Sequence, residues 1–439
     1  MAFLHHQSCE CVKSELDLFT LPATQTSIEN GKWVQYKPIS SLTDDSPIEF
    51  VVPGHGDQYS DLSNTMLNIK ACIVKPDGTK LDPLVDTSVG PAINWLHSMF
   101  SQVDLYVNQK LVTPQNNTYA YRSYIETLLN YDESAKDSHL SCALWYDDKS
   151  GEMDDCESKN TGLENRRYFT KSSNVVDMVG HLHVDLFNQE KFLLNGVELR
   201  LRLVRSRDSF CLMSKTEKYK VKIVEANLLI RKNKINPTVL LAHSKTLESG
   251  TVKYPITRVE VKAMTILSGI QGKTLDNVFL GQLPKRIIVG LVSNKAFNGD
   301  FKSNPFNFQS YKVNFFSLYV DGVQIPSKPL QPEYSENKEL SVMSYHTLFS
   351  GTGIHFLNLG NSITRSDYSQ GNCVMAFYLT PDLSANATTH WNLIRHGSLR
   401  IELGFYEALT ETINCIVYAE FDNIIEIDKN RNVTVDYGS

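Results

Sequence analysis

The chain has 439 residues, 41% hydrophobic and 21% charged, with a formal net charge of −6. That length exceeds the roughly 250–300 residues at which one core stops growing, so two domains are expected. The mildly acidic balance, without a block of basic residues, excludes an Arg-rich genome-packaging arm and argues against sequence-specific nucleic-acid binding, and no apolar run is long enough to cross a membrane.

Residues 1–20 lack periodicity and are expected to form an arm, although Leu16, Leu18 and Phe19 are apolar. Ile48-Glu49-Phe50-Val51-Val52 reads as a strand stopped by Pro53-Gly54, and Met66–Lys75 as a strand ended by the turn Pro76-Asp77-Gly78. Apolar spacing at Trp95, Leu96, Met99 and Phe100 predicts a short helix before a strand at Val103–Val107. Tyr119–Tyr131 is the clearest helix, with Tyr121, Ile125, Leu128 and Leu129 on one face; Ala135–Tyr146 is a second helical stretch. Residues 147–165 are acidic and aperiodic and are expected to be an exposed loop. Strands follow at Val175–Val184, Val197–Val204 and Tyr219–Arg231; in the second, Leu199-Arg200-Leu201-Arg202-Leu203 alternates strictly, leucines toward the core. Asn233–Asn236 with Pro237 interrupts the pattern and marks the domain boundary, giving an arm (1–20), a first unit (21–234) and a second (235–439). The second unit offers strands at Arg258–Ala263, Arg286–Val292, Val313–Tyr319, Cys373–Leu379, Leu399–Phe405 and Ile413–Ile427.

The two halves echo each other. Leu105-Tyr106-Val107-Asn108-Gln109 is answered by Leu318-Tyr319-Val320-Asp321-Gly322, and Gly196-Val197-Glu198-Leu199-Arg200-Leu201 by Gly397-Ser398-Leu399-Arg400-Ile401. Ala226 in "VKIVEANLLI" aligns with Ala419 in "INCIVYAEFDNII". Three matches in the same order, at an offset near 200, describe a duplicated domain rather than a solenoid repeat, whose period is roughly 20–50 residues. Many short strands with helices in long loops, written twice, argue for an all-β chain of two tandem sandwiches or jelly rolls rather than a doubly wound α/β fold.

Candidate chemistry is sparse. His181-Leu182-His183 has the spacing of two cupin metal ligands, so a tandem jelly-roll (bicupin-like) metalloenzyme or carbohydrate-binding protein is the alternative. The carboxylate that should follow falls at Phe187 or Asn188, and the second half has no His-x-His. Gly272-Lys273-Thr274 resembles the end of a phosphate loop, but Leu267 stands where its first glycine belongs and Gly269 leaves too short a loop. Gly54-His55-Gly56 lacks the third glycine of a dinucleotide fingerprint and reads as a turn. Cys9-Glu10-Cys11 with His5 and His6 lacks the partner pair of a zinc site. Arg200, Arg202 and Arg205 are expected on one strand face, solvated, carboxylate-paired or at a subunit contact. No catalytic, cofactor-binding or metal residues are therefore assigned. Cys72, Cys142, Cys211, Cys373 and Cys415 lie in apolar surroundings and are expected to be reduced and buried. The sequons at Asn116, Asn386 and Asn432 follow no secretory signal and are expected to stay unmodified in a reducing compartment.

Long stretches resemble the major capsid protein of Polinton (Maverick) elements and the related adintoviruses. They include "SELDLFTLPATQTSIENGKWVQYKPISSLTDDSPIEF", "HSMFSQVDLYVNQKLV", "YRSYIETLLNY", "FLGQLPKRIIVGLV", "AFNGDFKSNPFNF", "SYHTLFSGTG" and "VYAEFDNIIEIDKNRNV". The resemblance implies a structural, non-enzymatic double jelly-roll protein whose homotrimer is a pseudo-hexagonal capsomer of an icosahedral DNA-virus shell. It also implies neighbouring capsomers, a single jelly-roll penton protein and minor capsid proteins as partners, with synthesis in the host cytoplasm and assembly there or in the nucleus. Tyr119, Tyr121, Tyr124, Tyr345, Phe349 and Phe356, in insertions between strands, are expected at subunit contacts, since aromatics are enriched where subunits meet.

Overall fold

The computed structural model describes residues 5–435 except 43–45, 55, 217, 336–337, 359 and 388. His55 and the first four residues of the expected arm lie outside them.

The first half contributes strands β1 (Ile28–Tyr36), β2 (Ile48–Val52), β3 (Gln58–Val74), β4 (Phe100–Val107), β5 (Lys110–Leu111), β6 (Val176–His181), β7 (Leu199–Arg205) and β8 (Lys220–Ile235). They pair antiparallel in two sheets, ordered β1-β8-β3-β6 and β2-β7-β4-β5. The second half contributes β9 (Val252–Ile266), β10 (Gly272–Gln282), β11 (Arg286–Ser293), β12 (Val313–Val320), β13 (Val323–Leu330), β14 (Val374–Tyr378), β15 (His396–Phe405) and β16 (Ile413–Ile427). Their sheets run β9-β16-β11-β14 and β10-β15-β12-β13, so every strand of the first half has its counterpart eight strands later. Register agrees as well: Leu105 pairs with Leu201, and Leu318 with Ile401. This is the double jelly roll expected from the sequence.

Alternation explains how each sandwich closes. On β7, Leu199, Leu201 and Leu203 are buried while Arg200 and Arg202 stay outside. The inward residues of each sheet pair form one apolar core per sandwich. A helix, Pro237–Leu247, links β8 to β9; Asn236 caps it through the Thr238 N–H, with Pro237 at its start.

A third core lies between the sandwiches. Helix α1 (Tyr119–Asn130) is buried from Tyr119 to Leu129, not on one face only, because both halves pack on it. Tyr124 is stacked between Trp145 (5.4 Å) and Phe306 of the second half (4.5 Å). This corrects the expectation for the aromatics. Tyr119, Tyr121 and Tyr124 are buried inside the chain, and Tyr345 and Phe349 pack partly against the third core; Phe356 alone of the six is left bare, at 90% exposure.

Other expectations shift too. Residues 147–165 are not an exposed loop: Asp148, Met153, Cys156 and Asn160 are buried, and helix α2 (Thr161–Thr170) begins inside the segment. Cys142 is exposed, and Cys156 takes its place among the buried thiols. The stretch Ala135–Tyr146 breaks into Glu133–Asp137 and a 3-10 turn at His139–Ala143.

Candidate functional site

Among the described residues a buried network of charged and polar groups lies at the junction of the two sandwiches, and α1 builds it. Thr118, just before α1, donates through its hydroxyl to the Val261 carbonyl of β9 at 3.0 Å. Arg122 and Glu126, one turn apart on α1, pair at 2.9 Å. The Arg122 guanidinium also reaches Asp185 at 2.7 Å, and Asp185 accepts the Val259 N–H of β9 at 3.3 Å. Glu126 holds Nδ1 of His183 at 2.5 Å. The Tyr418 hydroxyl on β16 lies between two carboxylates, 3.1 Å from Glu126 and 2.9 Å from Glu420, and Glu420 pairs with Arg286 of β11. Charge and hydrogen bonds therefore run unbroken from the first sandwich into the second.

The electrostatics follow from burial and pairing. Burial alone would raise the Glu126 carboxyl, but the Arg122 guanidinium and the His183 hydrogen bond outweigh it and hold its pKa at about 2. Asp185 shares the same guanidinium, yet burial and the neighbouring Glu126 charge leave its pKa raised. His97, hydrogen-bonded through Nδ1 to the Tyr119 hydroxyl at 3.0 Å and edge-on to His183 at 4.9 Å, is pushed well below its ordinary value by burial and by His183. The crevice beside these groups has a volume of about 20 Å³, room for one water and no more. Such an arrangement clamps two domains rather than presenting a charge to a ligand.

The segment 147–165 makes a second clamp. Asp148 and Arg166 form an ion pair with both side chains fully buried. Arg166 also donates to the carbonyls of Pro91 and Tyr146. Across the junction, the Asn304 amide donates to Asp148 at 2.7 Å, its backbone N–H donates to Asp154 at 2.6 Å, and the Asn307 amide donates to Asp154 at 2.8 Å.

The residues singled out by motif do not converge on a site. His181 sets Nδ1 against the Thr65 carbonyl at 3.2 Å and Nε2 against the Asn188 side-chain amide at 3.0 Å, while His183 faces Glu126; the two imidazoles serve different neighbours. Phe187 is buried in the first core. Gly272, Lys273 and Thr274 lie in strand β10, paired with Gly404, Leu403 and Glu402, so no loop exists there to wrap a phosphate. Gly54 follows β2 where a side chain would collide with the Val197 backbone, which gives that glycine a packing role. Cys9 and Cys11 are exposed, and His5 stacks on His6 at 4.7 Å. Among the described residues no group of three or more His, Cys, Asp and Glu side chains is placed to hold a metal. The arginine ladder divides: Arg200 pairs with Glu49 at 2.5 Å and Arg202 with Asp104 at 3.4 Å, whereas Arg205 turns inward and donates to the Val221 carbonyl of the facing sheet at 2.7 Å. The expectation of one shared face fails on the strand period of two: position 205 is an odd number of residues from 200 and 202, so it falls on the face of Leu199, Leu201 and Leu203. Sequence reasoning missed the Arg122–Glu126–Tyr418 clamp; its one signal was a pair of opposite charges four residues apart in an otherwise apolar helix.

No protein-family model matches the chain. An uncharacterized protein of Caenorhabditis elegans is 28% identical over 431 residues, covering 95% of this chain and 99% of its own length. Among solved structures, a chain of the Sputnik virophage matches with a TM-score of 0.66 at 12% identity, over 98% of this chain and 93% of that one. The Faustovirus major capsid protein matches with a TM-score of 0.60 at 8% identity, over 93% and 92% of the two chains. The mavirus major capsid protein matches with a TM-score of 0.52 at 12% identity, over 99% and 97%. At these identities the likeness is one of fold, and it spans nearly the whole chain.

Proposed function

We propose that this chain is the major capsid protein of a DNA virus or virus-like element of the Polinton (Maverick) and adintovirus kind. Three copies form a pseudo-hexagonal capsomer, and capsomers tile an icosahedral shell. The carrying observation is the likeness of fold to viral major capsid proteins, which spans 93% of the chain in one match and 99% in another. The duplication supplies the geometric reason. A ring of three chains presents six similar domains, so a trimer fills a lattice position of six-fold shape through heterologous, ring-closing contacts. The two inter-sandwich clamps support the same reading, because a tile must keep its halves in fixed relation. A full-length relative in a nematode fits an element carried in an animal genome. On this reading the protein is structural rather than enzymatic, takes no cofactor, divides at residues 20 and 234, and contacts penton and minor capsid proteins within the virion.

Size exclusion with light scattering, followed by electron microscopy of the expressed protein, tests it. The expected particle has three times the mass of the 49.7 kDa chain and a pseudo-hexagonal outline. A monomer at micromolar concentration, or a two-fold dimer, overturns the capsomer.

A further inference from the structure

The linking helix α3 (Pro237–Leu247) buries Leu247 and leaves most of its length exposed. Beside it an apolar groove of about 620 Å³ opens between the sandwiches, walled by Tyr59, Phe192, Leu194, Val239, Leu247 and Tyr254. Its walls are set in advance. The Tyr59 hydroxyl is fixed to His243 at 3.0 Å, and the Tyr254 hydroxyl to the Phe192 carbonyl at 3.2 Å. Two cations stand on the rim, Lys191 and Arg431, held by the Lys253 carbonyl and by Asn195 and in no ion pair among the described residues.

The arm has the complementary character. Leu16, Leu18, Phe19 and Leu21 are 68–94% exposed, an apolar load left largely bare. Glu10, Glu15 and Asp17 against Lys13 make the described part acidic. Its last bond to the body is the Asn236 N–H to the Ser27 carbonyl at 2.9 Å, and Ser27 and Ile28 line the same groove. Gln25 bonds both backbone groups of Ile28, at 2.8 and 3.1 Å, which fixes the stem as it leaves the body. A bare apolar arm rooted at the edge of an unfilled apolar groove is the arrangement of an element exchanged between copies.

We infer that this groove receives the segment Glu15–Leu21 from the arm of a second copy. Its apolar side chains enter between α3 and Tyr254, and its carboxylates meet Lys191 and Arg431. The inference rests on the self-assembly proposed above and names where that assembly is tied.

Cross-linking tests it in full-length protein carrying Cys9→Ser, Cys11→Ser and Cys142→Ser, since the other five cysteines are buried. One chain then carries Thr20→Cys on the arm and another Ser244→Cys at the groove, and the two are co-expressed and oxidised after assembly. A reductant-sensitive two-chain species, mapped by mass spectrometry to residues 20 and 244, is expected. Val239→Trp, which fills the groove, should reduce it at least tenfold while thermal melting shows an intact fold. A trimer by light scattering with no two-chain species overturns the inference and leaves the capsomer standing. A link formed only within a chain that carries both cysteines also overturns it, by placing the arm in its own groove. A monomer with no link overturns both.

Discussion

Asn108 and Asp321 do the same work in the two sandwiches, 213 residues apart (321 − 108). Each turns the chain at positive φ, 44° and 50°, at the end of β4 or β12. Each accepts through Oδ1 the N–H of the residue opposite: Glu198 for Asn108 at 2.7 Å, Ser398 for Asp321 at 2.9 Å. Asn and Asp tolerate this conformation better than other non-glycine residues because the short polar side chain bonds locally. Beside Asp321, Gly397 is required as well, since a methyl there would strike the Asp321 carboxylate.

Asn108→Ala and Asp321→Ala should therefore each destabilise by about 1–2 kcal/mol, from a lost hydrogen bond and a strained left-handed turn, Asn108→Ala the more because it also loses the Nδ2 donation to the Arg431 carbonyl at 2.8 Å. Asp321→Asn keeps the acceptor and should lie within about 0.5 kcal/mol of the parent, whereas Asn108→Asp sets a carboxylate against the Arg431 carbonyl and should cost about 1 kcal/mol. Urea unfolding of the four variants checks this. An Asp321→Ala cost below about 0.5 kcal/mol would mean that the two turns are alike in sequence only.

Much of the fold was legible because strands announce themselves by alternation and turns by chemistry. The leucine–arginine alternation of β7 and the turn Pro76-Asp77-Gly78 after β3 are examples. What escaped reading depends on partners distant in sequence. Strand β10 begins with Gly272-Lys273-Thr274, which suggests a loop, and only pairing with β15 makes it a strand. The acidic segment 147–165 looks solvated until Arg166, Asn304 and Asn307 are seen to satisfy its carboxylates. The aromatics of α1 suggested a subunit contact because two separate cores offer them no place. The third core, formed only when the halves dock, is invisible to periodicity.

Glu126→Ala should be among the most damaging single changes in the chain. It removes the acceptor for Arg122, His183 and Tyr418 together and leaves a guanidinium buried beside Asp185 alone. Removing one partner of a buried pair costs about 3–5 kcal/mol. Calorimetry should show a lower transition temperature and, because the junction is cut, two transitions in place of one. A single unshifted transition would mean that the apolar third core alone couples the halves.

The junction also gives stability a pH dependence of defined sign. His97 is held well below its ordinary value of 6.5, so the unfolded chain binds a proton that the folded chain refuses. Its contribution is present above pH 6.5 and is lost as the pH falls below that value. Glu126, lowered from 4.5 to about 2, contributes stability present above pH 4.5 and lost as the pH falls toward 2. Melting temperature should thus decline in two stages on acidification. His97→Gln should flatten the decline between pH 6.5 and 5 and leave the lower stage in place; an unchanged upper stage would assign it to another group.

Arg166 should not be replaceable by lysine. Its planar fork serves three acceptors at once, the carbonyls of Pro91 and Tyr146 and the Asp148 carboxylate, with no solvent to take up an unmet bond. Arg166→Lys keeps the charge but not the geometry and should still cost about 2–4 kcal/mol. Arg166→Met, by stranding Asp148, should cost at least as much. Limited proteolysis between residues 147 and 160 gives a local readout, and both variants should be cut there faster than the parent. Equal resistance would show that the Asn304 and Asn307 contacts hold the segment without the arginine.

Phe356 is the one inserted aromatic that the third core leaves out, and it does not stand alone. Leu357, Leu383, Trp391, Leu393 and Ile394 are also 47–79% exposed, all in loops of the second sandwich around β14. Scattered exposed apolar residues need no explanation, but a concentration of large ones on neighbouring loops is what an interface requires. If three copies close a ring, these loops are the natural place for the second sandwich of one copy to meet the first sandwich of the next. Phe356→Ser and Leu393→Ser should leave the melting temperature of the isolated chain nearly unchanged, since neither residue fills a core; surface changes usually lie within about 0.5 kcal/mol. The same substitutions should weaken self-association at least tenfold, because large apolar anchors dominate interface energetics. Sedimentation across a dilution series reads both forms at once. Variants that trimerise as tightly as the parent would move the contact to another face of the sandwich.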